Sequence, residues 1–361
     1  MRWSFGIGRL FGIRIELHVT FLIFIVWIAV AQGILGGEPG RALATVALML
    51  LVFGCVLLHE LGHALTARRY GIRTRDIILL PIGGVARLER MPEKPAQEIL
   101  VAVAGPAVNV VIALVLAAVL VGLKVSMERL SFTGGLLESL LIVNVGIVVF
   151  NMIPAFPMDG GRVLRALLAL RLPYVQATRV ASFVGQGVAV LLGIGGLVSG
   201  NVMLVFVAMF VFLAASEERA IVQTRWSLSG LPVRAAMVSE FHVLDDSAPL
   251  QAALDLLMSG SQQDFPVLRG DQPVGLLSRS ELLGALRERG PTARVGEVLA
   301  AKQDFADPGE PLEDVLRRMR ERNRSAFPVL HQGRLVGMVT LENVSELLMM
   351  QDALRRYERA T

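Results

Sequence analysis

Val56-Leu57-Leu58-His59-Glu60-Leu61-Gly62-His63 closes a run in which no residue from Leu43 to Leu58 carries a charge. Such a run is long enough, with its flanks, to cross a bilayer as a helix. A helix stacks His59 and His63, four positions apart, on one face. Two imidazoles so placed can fill two corners of a tetrahedral Zn²⁺ site, and Glu60 beside them can take a proton from water at the metal. An ionisable group near the centre of a membrane helix costs on the order of 2.5–3.5 kcal/mol on insertion scales, so this cluster needs a compensating partner. Structural zinc, bound with roughly 10 kcal/mol or more, supplies one. A structural polar cluster or a proton relay is the alternative.

The composition, 54% hydrophobic and 18% charged, averages over two unlike halves. Residues up to about 219 carry long apolar runs, whereas the remainder is an ordinary charged globular sequence. A single cysteine, Cys55, lies in an apolar run, which excludes a disulfide framework and a thiolate metal site. The net charge of +4 does not call for nucleic acid, because much of the basic charge sits in short loops beside apolar segments.

Working outward, Arg2, Arg9 and Arg14 precede the first apolar run, and no small-residue cleavage site follows, so the N-terminus is expected to be retained. Ile13, Ile15, Leu17 and Val19 alternate with Arg14, Glu16 and His18, the period of a short strand at the membrane surface, with His18 an interfacial polar residue. About six spans are expected: Val19–Ile34, Ala42–Ala67, Gln97–Leu123, a fourth from Leu136, Ala181–Leu197 and Asn201–Ala215. Arg68, Arg69, Arg73 and Arg75 follow the histidine pair, which places the N-terminus and the zinc pair toward the cytosol. The stretch from Ile77 to Leu88, with Pro81, Gly83 and Gly84, is too short to span and predicts a hairpin or re-entrant loop. Its edge could hold an unwound substrate by strand addition.

Gly105 and Pro106 loosen the third span, and Asn109 behind them suits either interhelical packing or the site. The fourth span ends in Asn151-Met152-Ile153-Pro154-Ala155-Phe156-Pro157-Met158-Asp159-Gly160-Gly161, a break tolerated at membrane depth only where the backbone is buried or lines a cavity. The alternation of spans returns Asp159 to the depth of His59 and His63. There it completes a His₂Asp set and leaves a fourth zinc position for water. A helix-capping role is the other reading of Asp159.

His59-Glu60-Leu61-Gly62-His63, Ala104-Gly105-Pro106-Ala107-Val108-Asn109 and the Asn151–Gly161 stretch together resemble the three motifs of the site-2 protease family of intramembrane zinc metalloproteases. The resemblance implies one Zn²⁺ on His59, His63 and Asp159, with Glu60 as catalytic acid/base. It also implies substrate-positioning roles for Asn151 and Pro157, to which Asn109 is added as a candidate.

After Trp226 a repeat appears at an offset of 62 residues: Phe265-Pro266-Val267 recurs as Phe327-Pro328-Val329, and Gly275-Leu276-Leu277-Ser278 as Gly337-Met338-Val339-Thr340. Each copy reads as a helix, two short strands joined by a polar turn, and another helix, and the copies are expected to pack on each other. The repeat resembles a pair of CBS modules, tandem regulatory units whose cleft often takes adenine nucleotides. That resemblance implies nucleotide-binding candidates at Ser278, Glu281 and Thr340. Asn343 stands where nucleotide-binding examples commonly hold an Asp, and a purely structural or dimerising role is an equal reading.

The expected protein is an α-helical polytopic membrane protein with short membrane-surface β elements, joined to a cytosolic α/β tandem CBS domain. The expected divisions are an intramembrane zinc metalloprotease domain over 1–220, a linker over 221–231, modules over 232–288 and 294–350, and a helical tail over 351–361. The expected activity is cleavage of a peptide bond in or near a transmembrane segment, regulated by the CBS pair. Expected partners are a membrane-protein substrate, the bilayer, an adenine nucleotide and a second copy of the chain, with no direct nucleic acid. A CBS-gated transporter or channel, reading His59, Glu60 and Asp159 as an ion path, is the rival.

Overall fold

The computed structural model describes residues 3–360 except 82, 90, 93, 126–129, 133–134 and 300–303. Arg2, and Ile82 of the expected hairpin, therefore lie outside the described residues. The chain divides into two compact units, Met1–Val222 and Gln223–Thr361.

The first unit opens with β1 (Ser4–Leu10) and β2 (Ile13–His18), an antiparallel hairpin turning through Phe11 and Gly12, both at positive φ. Sequence reading finds β2 but not β1. β2 then pairs in parallel with β3 (Thr74–Leu80), which forms an antiparallel hairpin with β4 (Gly83–Leu88), giving the order β1-β2-β3-β4. A parallel pair needs a long crossover. Here it consists of α1 (Val19–Ile28), a π-helical stretch (Ala29–Leu35) and α2 (Pro39–Arg69). Ile13, Ile77 and Leu79 from the sheet bury against Phe21 of α1 and Phe53, Leu61 and Ala64 of α2.

α2 starts with Pro39, whose fixed φ suits a first helical turn, and ends at Arg68 and Arg69, whose charges suit the C-terminal carbonyls. Its 31 residues span about 46 Å at 1.5 Å each, more than a bilayer core of about 30 Å. α2, α3 (Pro95–Gly122) and α6 (Tyr174–Val198) are the three helices among the described residues long and apolar enough to cross a membrane. Val19–Leu35 and α4 (Leu136–Asn151) are shorter apolar helices. α5 (Asp159–Ala169) follows the break, and α7 (Val202–Leu228) ends the unit and continues past it. Three of the six expected spans thus meet both criteria among the described residues. α6 begins seven residues before the expected Ala181, because Gln176, Thr178 and Arg179 interrupt the apolar run without interrupting the helix.

In the second unit, α8 (Leu250–Ser259), β6 (Phe265–Arg269), β7 (Gln272–Leu277) and α9 (Arg279–Arg289) repeat as α10 (Leu312–Glu321), β8 (Ala326–His331), β9 (Arg334–Thr340) and α11 (Leu341–Ala360), with β5 (Leu244–Asp245) beside β6. Phe265 lies opposite Leu277, and Phe327 opposite Val339, at equivalent register. The leading segments of the two copies are exchanged. Val233 and Ala236, before the first copy, bury in the core of the second with Leu312, Val315 and Phe327, whereas Val295, before the second, buries in the core of the first with Leu250 and Phe265. Paired hydrogen bonds fix the exchange: the Val233 amide donates to Glu310 O at 2.9 Å and Leu312 to Leu231 O at 2.8 Å, matched by Val295 to Ala248 O at 2.9 Å and Leu250 to Ala293 O at 2.8 Å.

The exchange makes a testable prediction. Val233→Asp places a charge in the core of the second copy, at a cost on the order of 3 kcal/mol. Hydrogen exchange is expected to accelerate in α10 and β8 before α8 and β6, although residue 233 precedes the first copy in sequence.

Candidate metal centre

Helical spacing puts His59 and His63 on the buried face of α2, at 5% and 4% exposure, while Leu58, just before His59, is 48% exposed. Asp159 comes from the other side of the break. Pro154 and Pro157 keep the chain from continuing α4, and the chain re-enters a helix at Asp159, the first residue of α5. Gly160 and Gly161 let this turn close, since a Cβ would lie 2.4 Å from Ile153 O at the first and 2.6 Å from Ala155 C at the second.

The three side chains converge on one point. His63 Nε2 lies 3.0 Å from His59 Nε2 and 3.1 Å from Asp159 Oδ2, and His59 Nε2 lies 3.2 Å from Asp159 Oδ2. Zinc bonds of about 2.0–2.1 Å to nitrogen and oxygen, at tetrahedral angles, separate their donors by about 3.3 Å. The triangle therefore fits that ion, and its donor set of two imidazoles and one carboxylate suits it chemically. Among the described residues this is the group whose ligand atoms could hold a metal.

α3 supplies the back wall. A Cβ on Gly105 would lie 2.2 Å from His63 Nε2 and 2.7 Å from His59 Nε2, so the helix backbone itself rests on the imidazoles. The Val101 carbonyl, 2.7 Å from His63 Nδ1, is an acceptor only, so Nδ1 donates and Nε2 keeps its lone pair. Asn109 Oδ1 stands 2.6 Å from His59 Nδ1, and Asn109 Nδ2 donates to Asn144 Oδ1 of α4 at 2.8 Å. Asn109 is fully buried with both ends of its amide engaged, a position suited to holding His59 and unsuited to touching a substrate.

α5 is tied down by a buried ion network that sequence reading missed. Arg165 is 1% exposed; its Nε donates to Glu98 Oε1 at 2.8 Å and its Nη1 to Glu218 Oε1 at 2.5 Å. Removing one partner of a buried pair typically costs about 3–5 kcal/mol, so the network holds the helix that carries Asp159. Its sequence signal was a lone glutamate, Glu98, in the first turns of an apolar helix.

Glu60, adjacent to His59 in α2, accepts a hydrogen bond from the Ala86 amide of β4 at 3.1 Å. β4 is a terminal strand of its sheet, held to β3 next to Ala86 by Arg87, whose Nε donates to Asp76 Oδ1 at 2.5 Å. Asn151 is half-buried, with its Nδ2 donating to Ile147 O at 3.0 Å in its own helix, and Pro157 is exposed.

The nucleotide candidates lie in the second unit. Glu281 Oε2 accepts from Ser278 N and Oγ at 3.0 and 2.7 Å, while Oε1 accepts from Arg324 Nη1 at 2.7 Å, so both carboxylate oxygens are engaged. Thr340 Oγ1 donates to Asn343 Oδ1 at 2.5 Å and accepts from the Asn343 amide at 3.0 Å. Of these candidates Ser278 lines a cavity of about 410 Å³, with Asp264, Arg279 and Ser325 among the other lining residues, whereas Glu281 and Thr340 do not line it.

Comparison with known proteins gives this geometry a family. The model of peptidase family M50 matches residues 47–134 and 124–192, and that of the CBS domain matches 233–288 and 295–350. The chain is 30% identical over 346 residues to the zinc metalloprotease MJ0392 of Methanocaldococcus jannaschii, covering 95% of this chain and 96% of that one. It is 32% identical over 194 residues to stage IV sporulation protein FB of Bacillus subtilis, covering 53% of this chain and 62% of that protein. Among solved structures, it is similar to a site-2 protease from Methanocaldococcus jannaschii at 37% identity and a TM-score of 0.45, covering 60% of this chain and 95% of that one. The chain belongs to peptidase family M50, the site-2 protease family of zinc metalloproteases, and carries a tandem CBS pair.

Proposed function

We propose that this protein cleaves a peptide bond in or near a transmembrane segment of a membrane-associated substrate, with His59, His63 and Asp159 holding one zinc ion and Glu60 as acid/base. The observation that carries the reading is the convergence of three buried donor atoms within 3.0–3.2 Å of one another. Zinc bound there supplies Lewis acidity for activating water and polarising the scissile carbonyl. The Glu60 carboxylate accepts a proton from the attacking water and returns it to the leaving amine nitrogen. A transmembrane helix hides its carbonyls in internal hydrogen bonds, so the substrate unwinds before attack. The outer edge of β4, with Ala86 against Glu60, is suited to hold the unwound segment by strand addition, and Asn151 and Pro157 help to position it. The gated-transporter reading gives way to the family membership.

About six spans complete the membrane domain, proposed over residues 1–220. The parallel pairing of β2 with β3 supports the first of them: if α2 crosses the membrane, the chain must cross once more between these strands, and Val19–Leu35 is the remaining apolar helix there. The basic residues after α2 favour a cytosolic side for the zinc pair and the CBS modules. We further assign the module pair, over 232–288 and 294–350, a regulatory role through adenine nucleotide at the cavity by Ser278, with Glu281 and Thr340 as further candidate contacts, and homodimerisation through the same modules.

Four predictions follow from this assignment. Elemental analysis of detergent-purified protein is expected to give about one zinc per chain, lost in His59→Ala and Asp159→Ala. Glu60→Gln keeps the zinc while cleavage of a fluorogenic transmembrane peptide falls by roughly 10²–10⁴-fold; a zinc-loaded, fully active Glu60→Gln protein overturns the reading. Gly105→Ala forces a methyl against both imidazoles, an overpacking cost of about 1–3 kcal/mol that weakens zinc retention roughly tenfold. Millimolar AMP or ATP is expected to raise the unfolding temperature of the full chain by displacing Arg324 from Glu281, and an unchanged melting curve counts against nucleotide binding.

A further inference from the structure

Asn144 sits in the middle of α4, fully buried, and touches neither Glu60 nor any of the three converging donors through a hydrogen bond. An uncharged amide at that depth must satisfy its polar atoms within the protein. Its Nδ2 lies 2.9 Å from the Leu140 carbonyl and 3.4 Å from Cys55 Sγ, and its Oδ1 lies 2.8 Å from Asn109 Nδ2. The Leu140 carbonyl can only accept, so the Asn144 NH₂ must face it and Oδ1 must face Asn109. Asn109 must then turn its own NH₂ toward Asn144 and its Oδ1 toward His59 Nδ1, 2.6 Å away. That oxygen can only accept, so His59 Nδ1 carries the proton and Nε2 is left with its lone pair. The opposite assignment would set Asn144 Oδ1 against the Leu140 carbonyl oxygen at 2.9 Å and put the imidazole proton on the atom that faces His63 and Asp159.

We propose that Asn144 is a positioning residue of the metal site: through Asn109 it carries the polarity of one backbone carbonyl, that of Leu140, to His59 and locks the tautomer that binds metal. The inference rests on the reading of His59 as a zinc ligand. The two histidines then reach the same tautomer by different means. His63 is set directly by the Val101 carbonyl, whereas His59 is set through two amides on two helices. An amide can be flipped, so Asn109 alone does not determine the tautomer; Asn144 removes that freedom.

The test uses the full-length protein in detergent and reads its zinc dissociation constant by competition with a chromophoric chelator. Asn144→Leu keeps the volume but frees Asn109 to turn, and zinc binding is expected to weaken roughly 10–100-fold. The ¹⁵N spectrum of histidine-labelled, zinc-free protein is expected to show His59 passing from one tautomer to a mixture while His63 is unchanged. Asn109→Asp placed in the Asn144→Leu background presents a carboxylate, which accepts from Nδ1 without needing residue 144 to orient it, and is expected to restore the affinity to within about threefold of wild type. Wild-type affinity in Asn144→Leu overturns the proposal. So does a loss that Asn109→Asp does not restore, which makes Asn144 a packing residue only. Wild-type protein that binds no zinc removes the assignment of His59 as a ligand and this inference with it, an outcome distinct from failure of the variants alone.

Discussion

Two imidazoles and a carboxylate are brought together where almost no water reaches them, and the membrane unit is arranged around making that tolerable. Charge in such surroundings is stable only when it is paired and every remaining hydrogen-bonding position is filled. The protein meets the condition from three directions. α2 supplies both imidazoles on one face, α3 supplies the acceptors that orient them, and the break before α5 supplies the carboxylate. Gly105 lets the second of these come close enough to work, since any larger residue would occupy the space the donors share. The Arg165 network performs the matching task at a distance, holding α5 by its second turn so that Asp159 at its first residue has a fixed origin.

Much of this was legible in the sequence because the chemistry demanded unusual residues in an apolar context. His59, His63 and Asp159 stood out by spacing, by the cost of burying them and by the alternation of spans. The β3–β4 hairpin was legible from its length and its glycines, and the paired modules from the 62-residue offset. Asn144 was as conspicuous by the same cost criterion, an amide in the middle of an apolar helix, yet its meaning depended on α4 crossing α3 beside Asn109, which no local pattern encodes. The Arg165 network was hidden for a related reason: a basic residue just beyond a span normally faces water, and only the approach of Glu98 and Glu218 from distant helices buries this one.

The other misjudgements also concern which parts of the chain meet. β1 was overlooked because Gly6 and Gly8 dilute its pattern, and it becomes a strand through pairing with β2. The exchange of leading segments in the second unit left no trace in the repeat, since both segments carry the same short apolar pattern and either core would accept either one. A periodic sequence specifies what each element buries and leaves open which copy it is buried in.

The parallel pairing of β2 with β3 sets an order of events during synthesis. The β1–β2 hairpin leaves the ribosome first, but one of its edges has no partner until α1, the π-helical stretch and the whole of α2 have been made. An open strand edge is a site for wrong pairing. The sheet therefore closes only after the helix bearing both histidines has been made. Closure also brings β4 against Glu60, so the last strand to join is the one whose Ala86 amide meets the carboxylate beside His59. A chain that stops within the second helix would leave the sheet unfinished, and Glu60 would lack its neighbour until β3 and β4 have been made.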